Sequence, residues 1–237
     1  MLIVNEVTKR YGKVVACDRV SFAMEPGKIT VLLGPNGSGK STIIKSITGF
    51  LRYTGAITVE GHLNKSTEAK RLIGYIPEMP ALYPNLTVWE HIEFLARVCK
   101  LQDWEPYAQA LLDRFELTDK KKKFGDELSK GMQQKLSIVL GLLPRPKYIL
   151  FDEPMVGLDP HAIKELKTMM HTLRDSGAAI LVSTHMIDSV DMLWDTVVIM
   201  QQGRVQANVP RTAVEAGEQS LEELFFAITE GVHREVE

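Results

Sequence analysis

The rhythm of apolar and polar positions changes along the chain. Through the first 60 residues, short apolar runs alternate with turn formers, so 2–7, 14–16, 20–24 and 29–33 read as strands. Ile29-Thr30-Val31-Leu32-Leu33 is almost wholly apolar, the pattern of a strand covered on both faces. Tyr11-Gly12-Lys13 and Pro26-Gly27 mark turns. A helical pattern covers 41–48, and strand patterns return at 56–59 and 73–76. Beyond Glu78 three-to-four spacing takes over and predicts helices over 88–100, 104–115 and 129–143, the last stopped by Pro144. From there strands (148–151, 178–182, 196–200) alternate with helices (162–174, 186–194), and an amphipathic stretch at 221–228 precedes a charged end.

Such alternation requires a mostly parallel sheet with helices on its faces. The expected fold is α/β, with one core in two sequence pieces, 1–78 and 146–205. The N-terminal strands form an antiparallel subdomain, 79–145 is an inserted helical subdomain, and 206–237 is a C-terminal extension.

Composition narrows the function classes. Lys plus Arg number 28 and Asp plus Glu 30 among 237 residues, for a net charge of −2, which argues against a polybasic nucleic-acid binder. An apolar fraction of 45% argues against extended disorder. Cys17 and Cys99 cannot build a disulfide framework, form no CxxC pair, and read as inert thiols in a reducing compartment. No apolar run reaches the roughly 18 residues of a membrane span, and Met1-Leu2-Ile3-Val4 is too short for a signal core. The expectation is a cytoplasmic chain whose membrane role runs through a partner. His62, His91, His161, His171 and His233 make no metal-spaced pair. Lys120 to Lys123 reads as a solvated face or a contact with anionic lipid headgroups.

The sharpest motif is Gly34-Pro35-Asn36-Gly37-Ser38-Gly39-Lys40-Ser41-Thr42, set between a strand and a helix. Its glycines let successive N–H groups turn toward phosphate oxygens, and the helix adds its positive end. Lys40 supplies a point charge to the β- and γ-phosphates, and the Ser41 hydroxyl can ligate Mg²⁺. The motif predicts a bound nucleoside triphosphate, and no Asn-Lys-x-Asp stretch directs it to guanine. Asp152 and Glu153 close the apolar run from Tyr148, at the strand end where such sheets gather ligands. Asp152 is assigned to Mg²⁺ through water and Glu153 to the general base for an attacking water. Ser129 caps a second anion-type helix start, Leu128-Ser129-Lys130-Gly131-Met132-Gln133, which has no phosphate of its own and suggests pairing with a second molecule.

With these motifs in order, residues 1–205 resemble the ATP-binding subunit of an ABC transporter. Gly34 to Thr42 is similar to the Walker A loop, Leu128 to Gln133 to the signature sequence, Tyr148 to Glu153 to the Walker B strand, and Val156-Gly157-Leu158-Asp159 to the D-loop. The resemblance implies a P-loop NTPase core, ATP and Mg²⁺ as cofactors, and a head-to-tail dimer with another copy or a paralogue. It also implies that Ser129 and the Gly131 N–H of one chain face the γ-phosphate held by the other, with Asp159 communicating across the interface. His185 falls at the switch histidine that contacts the γ-phosphate, and Tyr11 at the aromatic that stacks on adenine. Glu78 stands where the family usually has Gln and is expected to contact the metal or its water; Lys130 and Met132 replace the commoner Gly and Gln.

Met79 to Thr87 and Leu221 to Phe226 look like an exporter branch that handles drugs, antibiotics, lipids, polysaccharides and sodium. The Pro-rich stretch with Leu82, Tyr83 and Trp89 is expected to form the groove for a cytoplasmic helix of a separate permease. The implied function is ATP hydrolysis that powers that permease from the cytoplasmic face of the membrane. The rival readings are an importer ATPase, a soluble ABC-type ATPase acting on DNA or ribosomes, and a small-molecule kinase.

Overall fold

The computed structural model describes residues 1–190, 192–217 and 220–231. β1 (Leu2–Tyr11) and β2 (Val14–Met24) form a hairpin closed at Gly12, whose φ of 58° suits glycine. Leu2, Val4 and Val7 point inward while Ile3, Asn5 and Glu6 face out, the alternation of a half-buried sheet. The two strands expected at 14–16 and 20–24 are one. The register between β1 and β2 slips between Val7 and Arg10, and Arg19 (φ 49°) donates its N–H to the Thr8 hydroxyl instead.

β3 (Ile29–Leu33) is wholly buried and runs into the glycine turn and α1 (Lys40–Ile47). β4 (Thr54–Val59) and β5 (His62–Leu63) complete an antiparallel sheet of order β2-β1-β4-β5. α2 (Thr67–Leu72) and β6 (Ile73–Ile76) follow. Next come the inserted helices α3 (Val88–Cys99), α4 (Glu105–Arg114) and α5 (Lys130–Leu142). The chain then returns through β7 (Tyr148–Asp152), α6 (Pro160–Asp175), β8 (Ala179–Thr184), β9 (Thr196–Gln201) and β10 (Arg204–Pro210). It ends in α7 (Arg211–Ala216) and α8 (Leu221–Gly231). The charged end from 232 lies outside the described residues.

The main sheet has order β10-β9-β3-β8-β7-β6 and is parallel except for β10. Period-two alternation splits its side chains between two cores. Ile29, Val31, Leu33, Ile149, Phe151, Ile180 and Val182 pack with the inserted helices and α6. Leu32, Leu150, Leu181 and Val198 pack with Ile43, Ile44 and Ile47 of α1 and with the antiparallel sheet. Each such buried side chain contributes about 1.5–3 kcal/mol of apolar transfer.

The helix expected at 186–194 is a single tight turn, Ile187–Val190. Thr184 Oγ1 accepts from the Met186 N–H at 3.0 Å, and Ser189 Oγ donates to the Met186 carbonyl at 2.6 Å. These bonds take backbone groups that a helix would use. β10 pairs along its length with β9, so the main sheet continues past residue 205.

His91 anchors the approach to α3. Its Nε2 accepts from the Tyr83 N–H at 2.9 Å and its Nδ1 donates to the Thr87 carbonyl at 2.8 Å. Trp89 stacks obliquely on Trp104 at 5.4 Å beneath the Lys121 ammonium, and Leu82 packs on the same core. Of the three residues expected to line the partner groove, only Tyr83 is exposed; it meets exposed Phe94 edge-on at 5.7 Å, and Met79 is exposed as well.

The two thiols differ. Cys17 is buried, with its pKa pushed up to about 12 by burial, whereas Cys99 stands exposed on α3. Titration with a thiol-specific disulfide reagent at pH 8 should therefore release one equivalent quickly and the second only in denaturant. Two fast equivalents would contradict the burial of Cys17.

Candidate functional site

The parallel register brings three strand ends to one edge. Leu33 of β3 lies opposite Thr184 of β8, and Asp152 of β7 lies opposite Ser183. The glycine turn after β3 starts there, with the Gly34 N–H on the Thr184 carbonyl. A Cβ on Gly34 would sit 2.3 Å from the Met200 carbonyl oxygen, so only glycine fits. Gly39 combines a φ of 105° with a Cβ position 2.5 Å from the Ala16 oxygen. Gly39 is also the N-cap of α1, and no side chain caps that helix or places an acid in its first turn. Its leading N–H groups therefore remain available to an anion. By contrast α2, α3, α5 and α6 are capped by Ser66, Thr87, Ser129 and Asp159.

Asn36, Gly37, Gly39, Lys40, Ser41 and Thr42 line a cleft of about 510 Å³, within the range of ligand sites. Glu78, Glu153 and His185 lie across it, with Ala16 and Val156 at its margins. Gly34, Pro35 and Ser38 form the supporting turn. Lys40, 5% exposed, donates to the carbonyls of Gly34 (2.8 Å) and Pro35 (3.3 Å). Its Nζ also pairs with Glu153 Oε1 at 3.4 Å. The same Oε1 accepts from His185 Nδ1 at 3.0 Å. Because Nδ1–H is committed to the carboxylate, only Nε2 of His185 remains free, and it donates only when the ring is protonated. Glu153 holds φ at 47° while buried, a strained backbone for a non-glycine residue, and this aims its carboxylate at Lys40.

Asp152 is 1% exposed and is held by two hydroxyls, Ser41 Oγ at 3.0 Å and Ser183 Oγ at 2.7 Å. Ser183 Oγ in turn accepts from the Glu153 N–H at 3.1 Å. Among the described residues Asp152 belongs to no ion pair, so its hydroxyl partners are what hold it. Burial and then the carboxylates of Asp152 and Glu78 push the Tyr75 hydroxyl well above its usual range. Hard oxygen donors from Ser41, Asp152 and Glu78 fit a magnesium ion that completes its shell with phosphate and water. Among the described residues no three His, Cys, Asp or Glu side chains cluster as a self-sufficient metal site.

Gly34, Pro35, Ser38 and Asp152 support this cleft without lining it, and four further expected site residues neither line nor support it. Tyr11 is half exposed at the hairpin tip, with the Lys9 ammonium 4.8 Å over its ring. Ser129 is exposed and receives the Met132 N–H at 3.3 Å, and Gly131 passes close to the Gly157 carbonyl. Asp159 caps α6 through the Ala162 N–H at 2.8 Å and pairs with Lys135 at 3.1 Å. These partners hold its carboxyl below the usual range, the N–H first. Lys135 also pairs with Glu116 at 3.3 Å, and Arg114 pairs with Glu165 at 3.1 Å, so two ion pairs join the inserted helices to α6. Sequence reasoning missed Ser183 and Lys135. Lys135 does lie within the buried stretch of α5, where an isolated lysine is itself a signal.

Residues 17–156 match the ABC transporter family. The chain belongs to that family. It is 35% identical over 240 residues to the ABC-type transporter ATP-binding protein EcsA of Bacillus subtilis, covering 97% of this chain and 96% of that one. It is 34% identical to the lantibiotic transport ATP-binding protein SrtF of Streptococcus pyogenes, covering 95% and 96%. A solved ATP-binding subunit of an ABC transporter superposes with a TM-score of 0.91 at 34% identity, over 97% of this chain and 99% of that one. A bacterial ABC transporter cassette solved as a dimer shares the fold, with a TM-score of 0.81 at 24% identity over 89% and 98%. The chain is thus an ABC ATPase that binds and hydrolyses ATP to drive a membrane transporter. No helix among its described residues is long and apolar enough to cross a membrane.

Replacing Asp159 with Ala in this ABC ATPase should cost about 1 kcal/mol through loss of the α6 cap. Because the Asp159 pKa is depressed on folding, its contribution is present above the unfolded carboxylate value, about 3.9, and is lost as pH falls through the folded value. Urea midpoints of the two proteins should accordingly differ at pH 7 and converge in acid. Equal midpoints at pH 7 would remove the cap from the account.

Proposed function

We propose that this subunit holds half of each of two composite ATP sites and that a second cassette, arranged head to tail, supplies the other half. The supporting observation is a separation. Lys40, Ser41, Asp152, Glu153 and His185 meet at one cleft, while exposed Ser129, with Gly131 and Asp159, lies outside it. Tyr11 stacks on the adenine from the hairpin tip. Gly34 to Thr42 wrap the phosphates, and Lys40 leaves Glu153 for the β- and γ-phosphate oxygens. Glu153 then takes the proton from water as its oxygen attacks the γ-phosphorus, releasing phosphate and ADP. His185 orients Glu153 through Nδ1 and faces the γ-phosphate with Nε2. Ser41, Asp152 and Glu78 would hold a magnesium ion, which would supply charge neutralisation on the phosphates.

The driven partner is a separate permease that docks against exposed Met79, Tyr83 and Phe94 on the cytoplasmic face of the membrane. Export is the direction this reading favours, because similar proteins carry the names lantibiotic transport and linearmycin resistance. ATP closes the pair of cassettes, hydrolysis reopens it, and the motion reaches the permease through the inserted helices.

Glu153→Gln should retain ATP binding, slow turnover by about 10²–10⁴-fold and accumulate an ATP-dependent dimer in light scattering. Normal turnover would remove Glu153 as the base. Lys40→Ala and Ser129→Arg should each be inactive alone. Mixed, they should recover part of the wild-type rate, because one composite site then escapes both changes. No recovery would sink the head-to-tail arrangement of identical chains.

A further inference from the structure

A basic recess borders an exposed phenylalanine just beyond the phosphate helix. Phe50 follows the last turn of α1, is 70% exposed, and meets Tyr75 edge-on at 5.9 Å. Nearby, Arg10 and Arg52 line a recess of about 280 Å³ with Thr8, Tyr53 and Thr54. Lys65 Nζ lies 5.1 Å from the Tyr53 ring centre. The stems of Lys65 and Lys70 pass 3.6 and 4.0 Å from where a Cβ on Gly49 would stand. Arg10, Arg52, Lys65 and Lys70 are all exposed, and among the described residues none belongs to an ion pair. Among the described residues, some exposed cations elsewhere are paired, as Lys28 is with Glu25 and Arg97 with Glu93, and others, such as Lys122 and Lys123, are not. Glu68, the acid of α2, is engaged by its own N–H and Ser66, then by His62 and Arg71.

We propose that this face binds the headgroups of an anionic phospholipid bilayer, with a lipid phosphate in the Arg10–Arg52 recess and Phe50 in the interfacial layer. Guanidinium groups match phosphate oxygens two at a time, and unpaired cations are drawn to an anionic leaflet. An apolar ring within a basic rim suits the water–lipid boundary. Position supports the same occupant. Tyr75, which Phe50 meets, lies on β6, and four residues further along the chain stands exposed Met79, part of the surface assigned above to the permease. The orientation rests on that assignment, whereas the binding itself does not. Nucleic acid fits less well, because one face of Tyr53 carries Lys65 and its hydroxyl is tied to Asn64 at 2.5 Å.

The test is cosedimentation of the full chain, without permease, with vesicles of phosphatidylcholine alone or with 30% phosphatidylglycerol. Binding should require the anionic lipid and weaken with salt. It should fall at least about tenfold in the Arg52→Glu/Lys65→Glu double variant. Phe50→Ser should weaken binding while keeping its salt dependence. ATP binding in solution, unchanged in both variants, reports intact folding. Equal binding to both vesicle types, no binding to either, or undiminished binding by the double variant would overturn the proposal. So would displacement by millimolar inorganic phosphate, which marks a free-anion site, or a single-stranded RNA complex abolished by the same substitutions. Failure here leaves the two-cassette ATPase intact, since mixing of inactive variants reports on that separately.

Discussion

The contact between buried Lys40 and Glu153 sets the terms for the rest of the site. An ammonium and a carboxylate, 5% and 6% exposed, both carry a desolvation penalty that their mutual attraction must offset. Lys40 has two carbonyl acceptors besides Glu153, and Glu153 has His185 besides Lys40. Neither is left bare if the other shifts. That redundancy lets a phosphate draw Lys40 away while His185 keeps Glu153 aimed. Asp152 one residue earlier forms no ion pair among the described residues and relies on Ser41 and Ser183. In the proposed cycle the strand end is a charge arrangement that the nucleotide completes.

The sheet makes this arrangement possible. Parallel pairing of β3 with β8, and of β7 with β8, lines up the carboxyl ends that carry the glycine turn, His185 and the acid pair. These groups are far apart in sequence and adjacent in space because β8 lies between β3 and β7. Only the turn itself is local, and its demands are steric. Gly34 leaves no room for a Cβ, and Gly39 adds a left-handed φ to a lack of space.

Most of this was legible in the sequence because the decisive signals were local. The run 29–33 is β3 without adjustment, and Ser129 caps α5 as its position predicts. The misses have physical causes. The turn at Ile187–Val190 has helical apolar spacing, but Thr184 and Ser189 divert its backbone hydrogen bonds. α2 buries only Ala69, and β5 has two residues, so neither leaves a readable period. Trp89 and Leu82 resemble surface anchors in sequence, but the inserted helices use both for their own packing. Ser183 and Lys135 act through partners far along the chain, which no local pattern encodes.

The pairs Lys135–Asp159 and Arg114–Glu165 carry a mechanical consequence. They link the inserted helices to Asp159 and the first half of α6, so a swing of the insertion about its two connections would strain both pairs. A torque applied at α3 either ruptures both clasps or turns the start of α6 with it. In the second case, the loop before α6 moves as one body with the inserted helices.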